Sequence, residues 1–259
     1  MLTAYFDESG IHKGDHLCVV AGFVGNEAQW ASFIHDWLAA LRPRPLLHMR
    51  KLRWNQHPDR IAPLLARLGP IPYRYNQTPV YCGIWQKDYE EIMKGKVREK
   101  FTTPYMTCAQ SCMAIVLGEL AGSDEVQFVF ERQRVNQSAM ENLRSVVFGL
   151  VGVDSRVRDI IFSPAKEMPC LEPADYLSFQ LREWNLDPHS VKATMGMSIL
   201  GANPHGGIYT REQIKQKTDD LIAFGLVPGG PLSKPTRELF RQLMNNPYFR
   251  GPQSRNARR

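Results

Sequence analysis

The chain has 259 residues, 43% of them hydrophobic and 22% charged, an ordinary globular composition that supports one large core and excludes a wholly disordered chain. No run approaches the roughly 18 uninterrupted apolar residues of a membrane span, and no basic flank followed by an apolar region opens the sequence, so a soluble, cytoplasmic protein without membrane contact is expected. The net charge of +6 is unevenly placed: residues 250–259 hold four Arg and no acid, residues 42–53 hold five Lys and Arg and no acid, and the remainder is slightly acidic.

In chain order, residues 2–6 and 16–24 are rich in strand formers and separated by Gly10 and Gly14, which predicts an antiparallel hairpin with Asp7 at its open end. Asn26 caps a helix whose Trp30, Phe33, Ile34, Trp37, Leu38 and Leu41 recur at three-and-four spacing, and Pro43 and Pro45 stop it. The stretch 42–79 is interrupted by proline, with a short helix over 58–68. Residues 26–79 thus read as an insertion after the second strand.

Val80 to Trp85 reads as a third strand and Tyr105 to Leu120 as a buried helix entered after Pro104. Strand and helix then alternate: 126–130, 138–150, 158–162 and 171–184. From 187 onward the pattern reads as helical, with amphipathic segments at 211–224 and 235–245, and the last ten residues form a basic, disordered tail. A homo-oligomer or protein partner would use this helical C-terminal region. The five cysteines are odd in number and scattered through apolar segments, which fits reduced core thiols. Cys108 and Cys112 share a helical face but lack the second ligand pair of a zinc site.

Three acids occupy comparable places: Asp7 after the first strand, Glu131 after strand 126–130, and Asp175 early in the helix 171–184. Strand ends along one edge of such a sheet are where ligands bind. Carboxylates about 4 Å apart repel by roughly 4 kcal/mol at an effective dielectric near 20, so converging acids hold a proton or recruit a cation. Oxygen ligands select Mg²⁺ or Mn²⁺, which would polarise a phosphoryl oxygen and activate water for phosphodiester hydrolysis. This reading requires the three side chains to converge. Glu172, three residues before Asp175, is a further candidate ligand, or serves only the helix N-terminus. Glu8 alternates away from Asp7 if the strand continues, whereas a turn there would bring it into the site.

His48, in the basic stretch, suits a general acid or base, a phosphate contact, or a structural hydrogen bond. Lys166 is a candidate for stabilising developing charge, or a solvated lysine, and His205 has no assigned role. The sequence lacks a Gly-x-x-x-x-Gly-Lys phosphate loop, a Gly-x-Ser-x-Gly elbow and a His-Glu-x-x-His helix. Nucleotide-driven motors, serine hydrolases and zinc proteases of those types are thereby excluded.

The opening Ala4-Tyr5-Phe6-Asp7-Glu8-Ser9-Gly10, the strand Cys18 to Val24, the segment Leu47-His48-Met49-Arg50-Lys51-Leu52 and the late Leu171-Glu172-Pro173-Ala174-Asp175-Tyr176-Leu177 together resemble the domain-of-unknown-function 3800 family of bacterial and phage proteins, over roughly residues 3–185. The resemblance implies a ribonuclease-H-like fold, places Asp7, Glu8 and Asp175 in the family's acidic motifs, and matches His48 to a histidine of its insertion. Glu131 departs from the aspartate usual on the middle strand. The expected architecture is an α/β, ribonuclease-H-like mixed sheet flanked by helices, comprising a core over 1–185, a helical extension over 186–249 and a tail over 250–259. The leading functional expectation is a Mg²⁺- or Mn²⁺-dependent nuclease acting on RNA or DNA, with Asp7, Glu131 and Asp175 as ligands and Glu8 and Glu172 as additional ones. The alternative is a catalytically inactive protein of the same fold that binds nucleic acid or another subunit through its basic segments, since lysine and arginine gain by releasing counterions from phosphates.

Overall fold

The structure, a computed structural model, describes residues 1–12, 14–52, 54, 56–93, 103–132, 155–201 and 204–223. The helices expected at 138–150 and 235–245 and the tail at 250–259 lie outside the described residues.

The chain opens with a hairpin of β1 (Leu2–Ser9) and β2 (Leu17–Asn26). It continues through α1 (Glu27–Leu41), α2 (Pro58–Leu68), α3 (Ile71–Arg74), β3 (Thr78–Trp85), α4 (Gln86–Ile92) and α5 (Pro104–Ile115). Then follow β4 (Val126–Glu131), β5 (Val157–Ser163), α6 (Glu172–Leu186), α7 (Val191–Met195), β6 (His205–Tyr209) and α8 (Arg211–Ala223). The strands form one sheet in the order β5-β4-β1-β2-β3-β6. β2 runs antiparallel to both of its neighbours, while β4 pairs parallel with β1, β5 with β4, and β6 with β3. A mixed sheet with this central order, flanked by helices, is the ribonuclease-H-like architecture that the sequence led us to expect.

β2 is the spine of the sheet because its residues Leu17 to Gly25 are buried on both faces. On one face Ala4, Phe6, Cys18, Val20 and Cys82 pack under α5 through Cys108, Cys112 and Met106. On the other, Leu17, Val19, Ala21 and Phe23 meet Phe33 and Trp37 of α1 and Tyr176 and Leu177 of α6. All five cysteines are free, and four are buried, in keeping with core thiols. α1 starts where Asn26 and Gln29 cap each other reciprocally, the Gln29 N–H donating to Asn26 Oδ1 at 3.0 Å. Its Trp30, Phe33, Trp37 and Leu41 are buried, but Leu38, expected on that face, is exposed. Beyond α5 the chain adds one wide turn, Val116–Leu120, before β4.

One expectation needs correction. The region after residue 185 is not wholly helical, because β6 joins the sheet beside β3 and α8 docks on α4 through Arg211, which pairs with Asp88 and Glu91. A boundary at 185 therefore cuts the sheet, and residues 204–223 belong to the same core. Among the described residues no helix is long and apolar enough to cross a membrane.

Candidate functional site

β1 and β4 are parallel neighbours whose register runs from Leu2 opposite Val126 to Phe6 opposite Phe130. The next pair in that register is Asp7 and Glu131, so the sheet itself sets two carboxylates side by side at the strand ends. β1 extends past the expected five residues to Ser9 because β2 continues to pair with it, as far as Ser9 opposite Val19. That extension buries the acids, leaving Asp7 2% and Glu8 8% exposed. α6 packs across β1 and β2 and brings Asp175 of its first turn to the same place. Asp7, Glu8, Glu131 and Asp175 line one cleft of about 680 Å³, with His48 beside them.

The electrostatics follow from this crowding. The Asp7 carboxyl is pushed well above the ordinary range, first by burial and then by the charges of Glu8, Glu131 and Asp175. Glu8 moves the same way, by burial and then by the charge of Glu131. Among the described residues neither oxygen of Glu8 has a hydrogen-bond partner, although both are buried. A group of acids in this condition keeps a proton or takes up a cation.

Asp175 is held from the insertion side. Its Oδ2 accepts the Met49 N–H at 2.9 Å and lies 3.1 Å from His48 Nδ1. That bond to Asp175 raises the imidazole pKa against the opposing effect of burial. Asp7 Oδ1 in turn accepts the Glu8 N–H at 2.7 Å. Main-chain donors thus fix two of the four carboxylates in place, with one oxygen of each engaged.

Among the described residues no three His, Cys, Asp or Glu side chains form a ready-made metal site. The acids share one cleft, but convergence of Asp7, Glu131 and Asp175 within reach of one cation is not seen. The cleft acids are oxygen donors only and repel one another, and among the described residues both buried oxygens of Glu8 lack a hydrogen-bond partner.

Other expected site residues lie elsewhere. Glu172 is buried, but it does not line the cleft; its Oε2 accepts Trp37 Nε1–H at 2.9 Å and Leu47 N–H at 3.1 Å. Those two donors make it an anchor between α6, α1 and the insertion. Lys166 is solvated, 3.8 Å from Glu167, and also outside the cleft. His205 begins β6 and lies 3.0 Å from Glu119.

Several cleft residues escaped the sequence reading. Phe179 and Arg182 follow Asp175 at helical spacings of four and seven, so one face of α6 lines the cleft in all three places. Trp54 stacks on Phe179 with ring centroids 5.4 Å apart and an interplanar angle of 7°. Arg182 is engaged by Asp15 and Glu183, each at 2.8 Å. Arg50, Arg132 and Lys192 complete the basic lining. The helical spacing was visible in the sequence, whereas the contributions of Trp54 and Arg132 depend on tertiary contacts.

The sequence matches no known family, and no curated protein matches it. Among solved structures, a chain of the PCNA:RNase HII complex from Archaeoglobus fulgidus is similar, with 15% identity and a TM-score of 0.40 over 88% of this chain and 92% of that chain.

Proposed function

We propose that this protein is a divalent-metal-dependent nuclease that hydrolyses phosphodiester bonds of RNA or DNA in the carboxylate cleft. The observation that carries the reading is the gathering of Asp7, Glu8, Glu131 and Asp175 in one cleft at the ends of two adjacent parallel strands. The proposal includes membership of the domain-of-unknown-function 3800 family. In its support, Asp7, Glu8, His48 and Asp175, which come from three separate motifs of that resemblance, line the same cleft.

In this reading Asp7, Glu131 and Asp175 hold Mg²⁺ or Mn²⁺, with Glu8 as the additional ligand. The ion would supply Lewis-acid polarisation of a phosphoryl oxygen and a lowered pKa for water. The chain supplies the rest. Met49 N–H and His48 orient Asp175, and the fixed frame of β1 and β4 sets Asp7 beside Glu131. In this reading His48, its proton affinity raised by Asp175, would hand a proton to a leaving oxygen.

The test is to incubate the purified protein with labelled single-stranded, duplex and hybrid substrates in Mg²⁺, Mn²⁺ or EDTA, beside Asp7→Asn. Cleavage in either metal is expected to vanish in EDTA and to fall by at least roughly a hundredfold in the variant, the upper end for loss of even an indirect metal partner. Activity that survives Asp7→Asn would sink the site assignment. No cleavage of any substrate in either metal would leave a binding protein of the same fold.

A further inference from the structure

Glu8 stands apart from the other acids of the cleft. Successive residues of a strand face opposite sides of a sheet, so Glu8 shares the face of Ala4 and Phe6, which pack under α5. Asp7 instead shares the face of Tyr5, which packs with the residues of α1 and α6. At the strand end the Glu8 carboxyl still borders the cleft. A group from beneath the sheet can therefore hold Glu8 while it serves the site.

What lies beneath is the first turn of α5. Cys112 of that helix sits with its Sγ 3.5 Å from the Val20 carbonyl oxygen, and Val20 is opposite Glu8 in the register of β2 on β1. One turn earlier, Cys108 interacts with Cys18, nearer the end of the sheet at which β1 stops. Tyr105 precedes Cys112 by seven residues, about 10 Å of helix at 1.5 Å per residue, and so continues the same helical face towards that end. Its ring is 3% exposed, and its hydroxyl has no hydrogen-bond partner among the described residues. Burial pushes the phenol well above its ordinary range, and among the charges that add to this Glu8 acts most strongly, ahead of Asp7.

Two buried groups without partners thus meet on one face of the sheet at the floor of the site: a phenol O–H and the two oxygens of Glu8. Buried polar groups rarely stay unpaired, because each gives up the hydrogen bonds it had in water. A phenol is a donor and a carboxyl oxygen an acceptor, so each supplies what the other lacks. Resting on the nuclease reading, we infer that Tyr105 is a positioning residue, whose hydroxyl donates to a carboxyl oxygen of Glu8 and fixes that side chain for its part in the cleft. Glu8 is then anchored from the α5 side of the sheet, as Asp175 is anchored from the insertion by Met49 and His48. No described residue of α5 lines the cleft, and this hydroxyl is the route by which that helix acts on it.

Ultraviolet resonance Raman spectroscopy of metal-free protein reads the bond itself, each spectrum being taken against the same protein carrying Tyr105→Phe so that only the Tyr105 bands remain. These bands are expected to show a donating hydroxyl in the wild type. Glu8→Gln keeps a neutral acceptor and should preserve donation in weaker form, whereas Glu8→Met should abolish it. In cleavage assays Tyr105→Phe, which keeps the buried ring, is expected to lower kcat by roughly ten- to a hundredfold with KM for the nucleic acid unchanged, the scale for a group that orients a metal-ligating side chain. Tyr75→Phe removes a hydroxyl that serves Asp36 outside the cleft and should leave kcat as it is. Tyr105 bands that are the same in the wild type and Glu8→Met, or an unchanged kcat in Tyr105→Phe of a protein that cleaves, would overturn the inference. If the bands respond to Glu8 but the wild type cleaves no substrate in Mg²⁺ or Mn²⁺, the nuclease reading fails and the bond to Glu8 stands.

Discussion

His48 Nδ1 lies 3.1 Å from Asp175 Oδ2, joining the insertion to α6. The bond raises the imidazole pKa above 6.5, so in metal-free protein His48 is expected to titrate above that value by NMR. Stability from this bond is fully present below the unfolded histidine value and is lost as pH rises through the folded one. Asp175→Asn should lower the His48 pKa and remove that pH dependence. An unshifted titration would mean that the pair does not form in solution.

Asp7 and Glu8 bear on stability in the same sense as His48. Their folded pKa values are raised, first by burial, so the folded state binds more protons than the unfolded chain above the ordinary carboxylate range. Metal-free protein is therefore expected to lose stability as pH rises through that interval. Asp7→Asn and Glu8→Gln should each raise the metal-free Tm at pH 8, by about 2–4 °C per kcal/mol relieved in a chain of this size. Mg²⁺ at a hundred times its Kd should stabilise the wild type by about 2.7 kcal/mol and the variants by less. Thermal melts with and without Mg²⁺ decide both points; variants less stable than wild type at pH 8 would refute the electrostatic account.

Glu172 is expected to behave as a structural acceptor. Burial pushes its carboxyl up to about 7, so its contribution to stability declines as pH rises from about 4.5 towards that value. Glu172→Ala strands the N–H groups of Trp37 and Leu47 and should cost about 2–6 kcal/mol in urea denaturation, at about 1–3 kcal/mol for each orphaned donor. Glu172→Gln keeps an acceptor, so most of the stability should remain. Divalent-cation affinity should be unchanged in Glu172→Gln, and a large loss would return this residue to the ligand set.

Lys217 of α8 is buried against β6 and α5, with Nζ 3.1 Å from Ser111 Oγ and 3.2 Å from the Tyr209 hydroxyl. Burial lowers its pKa, so stability is fully present above the unfolded lysine value and is lost as pH falls through the folded one. Lys217→Met is therefore expected to flatten the dependence of Tm on pH in the alkaline range. A variant whose pH profile matched the wild type would show that this amine is charged in the fold.

Most of the sheet was legible because its signals are local. β1, β2, β4 and β5 announce themselves by runs of strand formers, and α1 by its Asn26 cap and its Trp30, Phe33, Trp37 and Leu41 stripe. β6 was not legible, since His205-Gly206-Gly207-Ile208-Tyr209 is weak in strand propensity and is recruited by pairing with β3. In the site, Asp7, Glu131 and Asp175 were found by their positions at element ends. Glu172 and Asp175 could not be told apart by spacing, because both lie near one face of α6; what separates them is that Trp37 and Leu47 meet the first, and His48 and Met49 the second. Arg132 and Trp54 carried no local mark, and only the closing of the insertion on α6 sets Trp54 against Phe179.

The parallel pairing of β6 with β3 also bears on biogenesis. Until residue 209 has been synthesised, β3 presents a bare row of amides and carbonyls, the kind of edge on which chains aggregate. A nascent chain arrested at residue 185 would already carry Asp7, Glu131 and Asp175, yet it would expose this adhesive border. β6 thus covers the edge of β3 from a segment remote in sequence from the acidic residues of the cleft.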